Sequence, residues 1–118
     1  MRRVLPILVT VAAALALAGT GTAATPRLAG TDGPSFTITL KSGTKVVKTL
    51  KAGSYTLVVA DKSSTHSFHL FGPGVNKTTA VGFIGTKTWT VKLKPGTYTY
   101  QCDVHAASGM KGTFKVTA

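Results

Sequence analysis

Cys102, His105 and Met110 fall within one short stretch, Cys102-Asp103-Val104-His105-Ala106-Ala107-Ser108-Gly109-Met110, with the spacing C-x2-H-x4-M. A thiolate, an imidazole and a thioether are soft and borderline ligands, a set that suits a metal cycling between Cu(I) and Cu(II). A second imidazole is available upstream in His66 or His69. Two His and one Cys in a plane, with Met as a long axial ligand, make a blue-copper electron-transfer centre. Cys102 is the sole cysteine. In an exported protein a single cysteine is a reactive thiol, half of an intermolecular bridge, or a metal ligand. An isolated buried thiol is often inert; the spacing to His105 and Met110 favours the ligand. Zinc also accepts Cys and His, but its structural sites take tetrahedral N/S sets without Met.

The elements that must position these residues have a period of two, not 3.6. Phe36, Ile38 and Leu40 alternate with polar residues, and Lys45 to Leu50 reads as a second strand. Tyr55, Leu57 and Val59 alternate, His66 to Phe71 forms the next strand, and Gly72-Pro73-Gly74 stops it. Val75 to Thr79 is a loop or irregular edge, and Ala80 to Ile84 a short strand. Trp89, Val91 and Leu93 alternate, Pro95-Gly96 turns, and Tyr98, Tyr100 and Cys102 share a face. Phe114 and Val116 mark the last strand. Short strands with Gly/Pro turns and abundant Thr and Val predict an all-β sandwich or barrel.

Strand parity separates the two upstream histidines. Successive side chains point to opposite faces. With Phe68 and Leu70 in the core, His66 points inward and is the expected ligand. His69 then points outward, as a surface or interface histidine or a second metal or partner contact.

The 118 residues bound the chain to one domain. Arg2 and Arg3, the apolar run from Val4 to Ala18 and the small residues after it predict an export signal over 1–24, cleaved or kept as an anchor. Residues 25–34 read as a flexible leader, and 35–118 as the metal-binding domain. Lys and Arg number 14 against 3 acidic residues, a formal charge of +11. This predicts an anionic partner: an acidic protein face, an anionic membrane or a wall polymer. The lysines are spread rather than bunched with aromatics, which argues against nucleic acid.

The motif Pro95-Gly96-Thr97-Tyr98-Thr99-Tyr100-Gln101-Cys102 with the Cys102, His105, Met110 loop resembles the cupredoxins, the small blue copper proteins. The resemblance covers about Phe36 to Ala118, and the loop length is similar to that of plastocyanin and pseudoazurin. It implies a Greek-key two-sheet β-sandwich with one type 1 copper ion at one end. It implies His66, Cys102 and His105 as the trigonal ligands and Met110 as the axial one. In the family Asn usually follows the first ligand histidine and ties the ligand loops together; here the residue is Ser67, expected to bond the Cys102-Asp103 segment instead. The resemblance also implies an apolar surface around His105, formed here by Ala106, Ala107, Gly109 and the Gly72 to Val75 turn.

The expected function is that of an exported monomer shuttling single electrons, in the periplasm, outside the cell or at its surface. Its redox partners would present an acidic docking face, steered by lysines at rates that fall with salt. The alternative is copper buffering or delivery with the same ligands. Nitrite reductase and multicopper oxidases share the implied fold but need further histidine-rich copper sites, and the chain has 3 His. No enzyme activity is expected. A copper-free adhesion sandwich would not require the four side chains together.

Overall fold

Alternate residues of Gly53–Asp61 are buried, from Tyr55 through Leu57 and Val59 to Asp61, the period-two signature of a strand with one face on a core. This strand, β5, is one of ten in the computed structural model, which describes residues 24–118. The others are β1 (Arg27–Asp32), β2 (Ile38–Ser42), β3 (Lys45–Val46), β4 (Thr49–Lys51), β6 (His69–Gly72), β7 (Val75–Thr78), β8 (Gly85–Leu93), β9 (Gly96–Gln101) and β10 (Lys111–Thr117). They form two five-stranded sheets, ordered β3-β2-β1-β5-β8 and β4-β10-β9-β6-β7. Two pairings are parallel, β1 with β5 and β4 with β10; the rest are antiparallel. The expected all-β two-sheet sandwich is the observed architecture. Among the described residues no helix is long and apolar enough to cross a membrane.

The facing sheets enclose Leu40, Leu57, Val59, Phe68, Leu70, Leu93 and Tyr98, each at most 1% exposed. Full burial of one such aliphatic or aromatic side chain contributes about 1.5–3 kcal/mol. Phe68 stacks on Tyr100 with centroids 5.9 Å apart, and Tyr98 on Phe114 at 5.4 Å. Gly72 and Gly112 lie where a Cβ would collide with the Tyr98 and Tyr100 rings. The glycines therefore let two large aromatic rings lie flat against the sheet.

Four expectations are corrected. Residues 25–34 are not a flexible leader, because Arg27–Asp32 is β1, a central strand paired with β2 and β5. Its inward positions are Leu28, Gly30 and Asp32, so a single large apolar residue marked the buried face. Gly30 is needed there, since a Cβ would lie 2.7 Å from Phe68 Cζ. Lys45 to Leu50 is not one strand. β3 belongs to one sheet and β4 to the other, and Val47–Lys48 crosses between them. Phe36 precedes β2 and is 68% exposed, off the core face assigned to it. Ala80–Ile84 is a turn-containing loop rather than a strand, with Gly82 at φ 96°. Of the expected export segment, all but Ala24 lies outside the described residues.

The register sorts the loops by end. β1 and β5 finish at Asp32 and Asp61, opposite the start of β8 at Gly85, while β9 finishes at Gln101 opposite the start of β6 at His69. Segments 33–37, 62–68, 79–84 and 102–110 therefore gather at one end. All three acidic residues, Asp32, Asp61 and Asp103, are there. Exposed Arg27, Lys45, Lys51, Lys92 and Lys94 lie toward the opposite end. Exposed Lys62, Lys77, Lys87 and Lys111 lie toward the first end, so basic residues occur at both ends while the acidic ones are confined to one.

Candidate metal centre

β9 delivers Cys102 as the first residue past its last ladder pair, Gln101 with Lys111. The 102–110 loop closes on itself. Cys102 N–H donates to the Met110 carbonyl at 3.0 Å, His105 N–H to the Cys102 carbonyl at 3.1 Å, and Met110 N–H to the His105 carbonyl at 3.2 Å. Ala106–Ser108 forms a 3-10 turn, capped by Gly109 in the left-handed region at φ 92°. That conformation disfavours any residue with a Cβ. The loop is thus held by its own backbone, and it places Cys102 and Met110 in the interior at 0% and 2% exposure.

His66 arrives from the other segment. It is 2% exposed, and its N–H donates to the Ser63 carbonyl at 3.3 Å. The flanking chain is pinned twice. Asp61 accepts from Ser63 N–H at 3.2 Å and from the Thr79 hydroxyl at 2.8 Å. Thr79 Oγ1 accepts from Phe68 N–H at 2.9 Å, and Thr79 N–H donates back to the Phe68 carbonyl at 3.0 Å.

These two segments bring three atoms together. His66 Nδ1 and His105 Nδ1 are 3.0 Å apart, Cys102 Sγ is 3.8 Å from the first and 3.5 Å from the second. A neutral imidazole has one bare nitrogen. Two ring nitrogens and a sulfur face one another here, and with both nitrogens unprotonated they form a donor set for a cation. The point equidistant from the three atoms lies about 2.0 Å from each, the usual length of a first-row metal–imidazole bond. The donor set and the space therefore fit a metal ion. Among the described residues this is the one cluster of three or more His, Cys, Asp or Glu with that capacity.

Phe36, assigned by the alternation to the core, instead stands beside the cluster. Its ring is edge-on to His66 at 5.2 Å and to His105 at 4.8 Å between centroids. Four of the five exposed large apolar residues, Phe36, Val81, Ile84 and Val104, belong to loops of this end; the fifth, Val46, is in β3. The expected surface contribution of the Gly72 to Val75 turn is not found. β6 runs away from the cluster, with His69 opposite Gln101 and Phe71 opposite Thr99, so the turn lies at the far end, where the Pro73 carbonyl accepts from the Tyr98 hydroxyl.

The expected Ser67 tether is also corrected. Ser67 is 1% exposed and its hydroxyl has no hydrogen-bond partner. Asp103 is bonded instead to His69, whose Nδ1 lies 2.9 Å from one carboxylate oxygen. His69 is thus neither free on the surface nor part of the triangle. The separation of 34 residues hid this pair from strand periodicity. The buried neighbours Asp32 and Asp61 were likewise unmarked, because Asp32 lay in the presumed leader.

Comparison with known proteins agrees with this geometry. Rusticyanin, described as a copper protein, has a similar structure, with a TM-score of 0.58 and 20% identity over 77% of this chain and 76% of that one. Auracyanin B superposes with a TM-score of 0.56 and 20% identity over 78% and 88% of the two chains. The auracyanin of the photosynthetic bacterium Roseiflexus castenholzii gives 0.56 and 22% over 80% and 98%. These likenesses establish the fold. No curated protein sequence matches the chain. The profile of the copper binding proteins, plastocyanin/azurin family, matches residues 35–117. The chain therefore belongs to the plastocyanin/azurin family of copper-binding proteins, takes copper as its cofactor, and is an electron carrier rather than an enzyme.

Proposed function

We propose that this protein is an exported one-electron carrier in which His66, Cys102 and His105, with Met110 as a weaker fourth ligand, would hold one copper ion. The observation that carries this reading is the triangle of Nδ1, Nδ1 and Sγ atoms, with its centre about 2.0 Å from every corner. Bound copper supplies a one-electron couple between Cu(I) and Cu(II). The chain's residues keep the donors where they are: the loop is closed by its own hydrogen bonds, and the His66 segment is pinned by Asp61 and Thr79. Donors fixed in this way move little when the charge of the site changes, which keeps reorganisation small. Phe36 screens both imidazoles from one side. His105 is only partly buried, so its ring is the shortest route from the interior to a partner.

The apolar rim of Phe36, Ile84 and Val104 supports docking of a redox partner at this end by close apolar contact. The net positive charge favours an acidic partner. The remote cationic end supports a second association, with an anionic membrane or wall surface, that leaves the copper end free. Residues 1–24 are read as the export signal, which puts the mature monomer in the periplasm, outside the cell or at its surface. The folded domain then begins with β1.

Copper added to the purified protein should give an intense blue thiolate-to-copper band, and Cys102→Ser should abolish it. A wild type that binds copper without that band would defeat the reading. Slow electron exchange combined with ready transfer of copper to an acceptor would favour delivery instead.

A further inference from the structure

The backbone ladder between β6 and β9 ends at His69 opposite Gln101. Beyond that pair, Cys102 and the chain leading back to His66 have no strand pairing with each other. One side-chain cluster spans this gap. His69 Nδ1 donates to the two carboxylate oxygens of Asp103 at 2.9 and 3.0 Å. A carboxylate only accepts, so Nδ1 carries the hydrogen. The other ring nitrogen, Nε2, lies 2.6 Å from the Asn76 amide oxygen Oδ1, and Gln101 Nε2 donates to Asp103 Oδ1 at 2.9 Å. Burial pushes the Asp103 carboxyl up, but the hydrogen bonds from Gln101 and His69 and the His69 charge together outweigh it and hold it below its ordinary value. Ser67, the nearer candidate for a tether, leaves its hydroxyl unbonded.

We propose that His69 is a positioning residue: through Asp103 it fixes where Cys102 and His105 stand relative to His66, and thereby sets copper affinity and the Cu(I)/Cu(II) potential. Asp103 directly follows Cys102 and lies between it and His105, while His69 opens β6 just after the His66 segment. The pair extends the cross-strand connection two residues beyond the ladder, past Cys102 and into the loop that carries the donors. Thr79 restrains Phe68, beside it, through a separate pair of hydrogen bonds. The inference rests on the ligand assignment above.

The test compares His69→Ala, Asp103→Ala, the double variant and His69→Asn, whose amide can donate from near the Nδ1 position. Cu(I) affinity is measured by chelator competition, the midpoint potential by voltammetry and the copper environment by EPR. Each alanine variant should weaken copper binding about tenfold, as loss of an outer-shell partner does, and both should shift the potential in the same direction. The double variant should be no worse than either single one, and His69→Asn should recover most of the loss. In the metal-free wild type, a slowly exchanging imidazole N–H signal from His69 should appear by NMR and vanish in Asp103→Ala. Additive losses, or an unchanged potential and EPR spectrum with only a lower thermal midpoint, would overturn the proposal. A blue band that survives Cys102→Ser would strike the ligand assignment instead, and the metal-free NMR result does not depend on that assignment.

Discussion

Asp32 and Asp61 stand opposite each other in the parallel register of β1 and β5, and both are buried. Asp61 is bonded to Ser63 and Thr79, whereas neither oxygen of Asp32 has such a partner. Burial, then the neighbouring Asp61 carboxylate, push the Asp32 carboxyl from 3.8 up to about 7. Asp32 therefore stays protonated through the acidic range in which an exposed carboxyl ionises.

This pair predicts a pH-dependent stability. Between about pH 4 and 7 the folded chain keeps a proton that the unfolded chain releases. Stability should fall as pH rises through that window and level off above it. Asp32→Asn supplies a neutral donor at every pH and should flatten the slope, leaving the variant more stable than wild type at pH 8. Urea unfolding at pH 5 and pH 8 checks this; a variant with the wild-type slope would contradict it.

Phe36→Ala should leave the fold nearly intact, within about 0.5 kcal/mol, because the ring is 68% exposed. It should still change the metal centre. Removing the ring admits water beside His66 and His105, and water favours the more highly charged oxidised site. The expected result is a lower midpoint potential with little change in thermal midpoint. An unaltered potential would show that Phe36 does not shield the centre.

Gly30→Ala should be costly although Gly30 has an ordinary backbone conformation. The new Cβ would lie 2.7 Å from Phe68 Cζ and 2.9 Å from Cε2. Overpacking of this kind costs about 1–3 kcal/mol, readable as a shift in the denaturation midpoint. Loss of that size should also disturb the His66 segment, since Phe68 lies two residues beyond it.

A chain beginning at Ala24 should fold, and one beginning at Ser35 should not. The shorter chain lacks β1, which joins β2 to β5 and contributes Leu28 and Gly30 to the buried face. Far-ultraviolet circular dichroism and thermal unfolding of the two would decide. Cooperative unfolding of the shorter chain would mean that β1 is dispensable.

What was legible in the sequence follows from how locally each feature is encoded. β5, β8 and β9 announced themselves because large apolar residues alternate along them, and Cys102, His105 and Met110 because one loop holds all three. His66 was placed by the parity of Phe68 and Leu70, which are indeed buried, although His66 and Ser67 precede the strand and both face inward. β1 was hidden because glycine and aspartate fill inward positions that alternation reads as polar or empty. Phe36 was misplaced because the strand begins two residues later than its pattern does. The His69–Asp103 bond and the Asp32–Asp61 pair arise only when distant strands are brought side by side, so no window along the chain could reveal them.

The 102–110 segment has its two ends held as antiparallel neighbours, at Gln101 and Lys111, and forms its internal hydrogen bonds within itself. Its length and composition can therefore change without altering the pairing of any strand. Evolution, or an engineer, is free to exchange this cassette wholesale and retune the electrochemistry while the scaffold beneath keeps its shape.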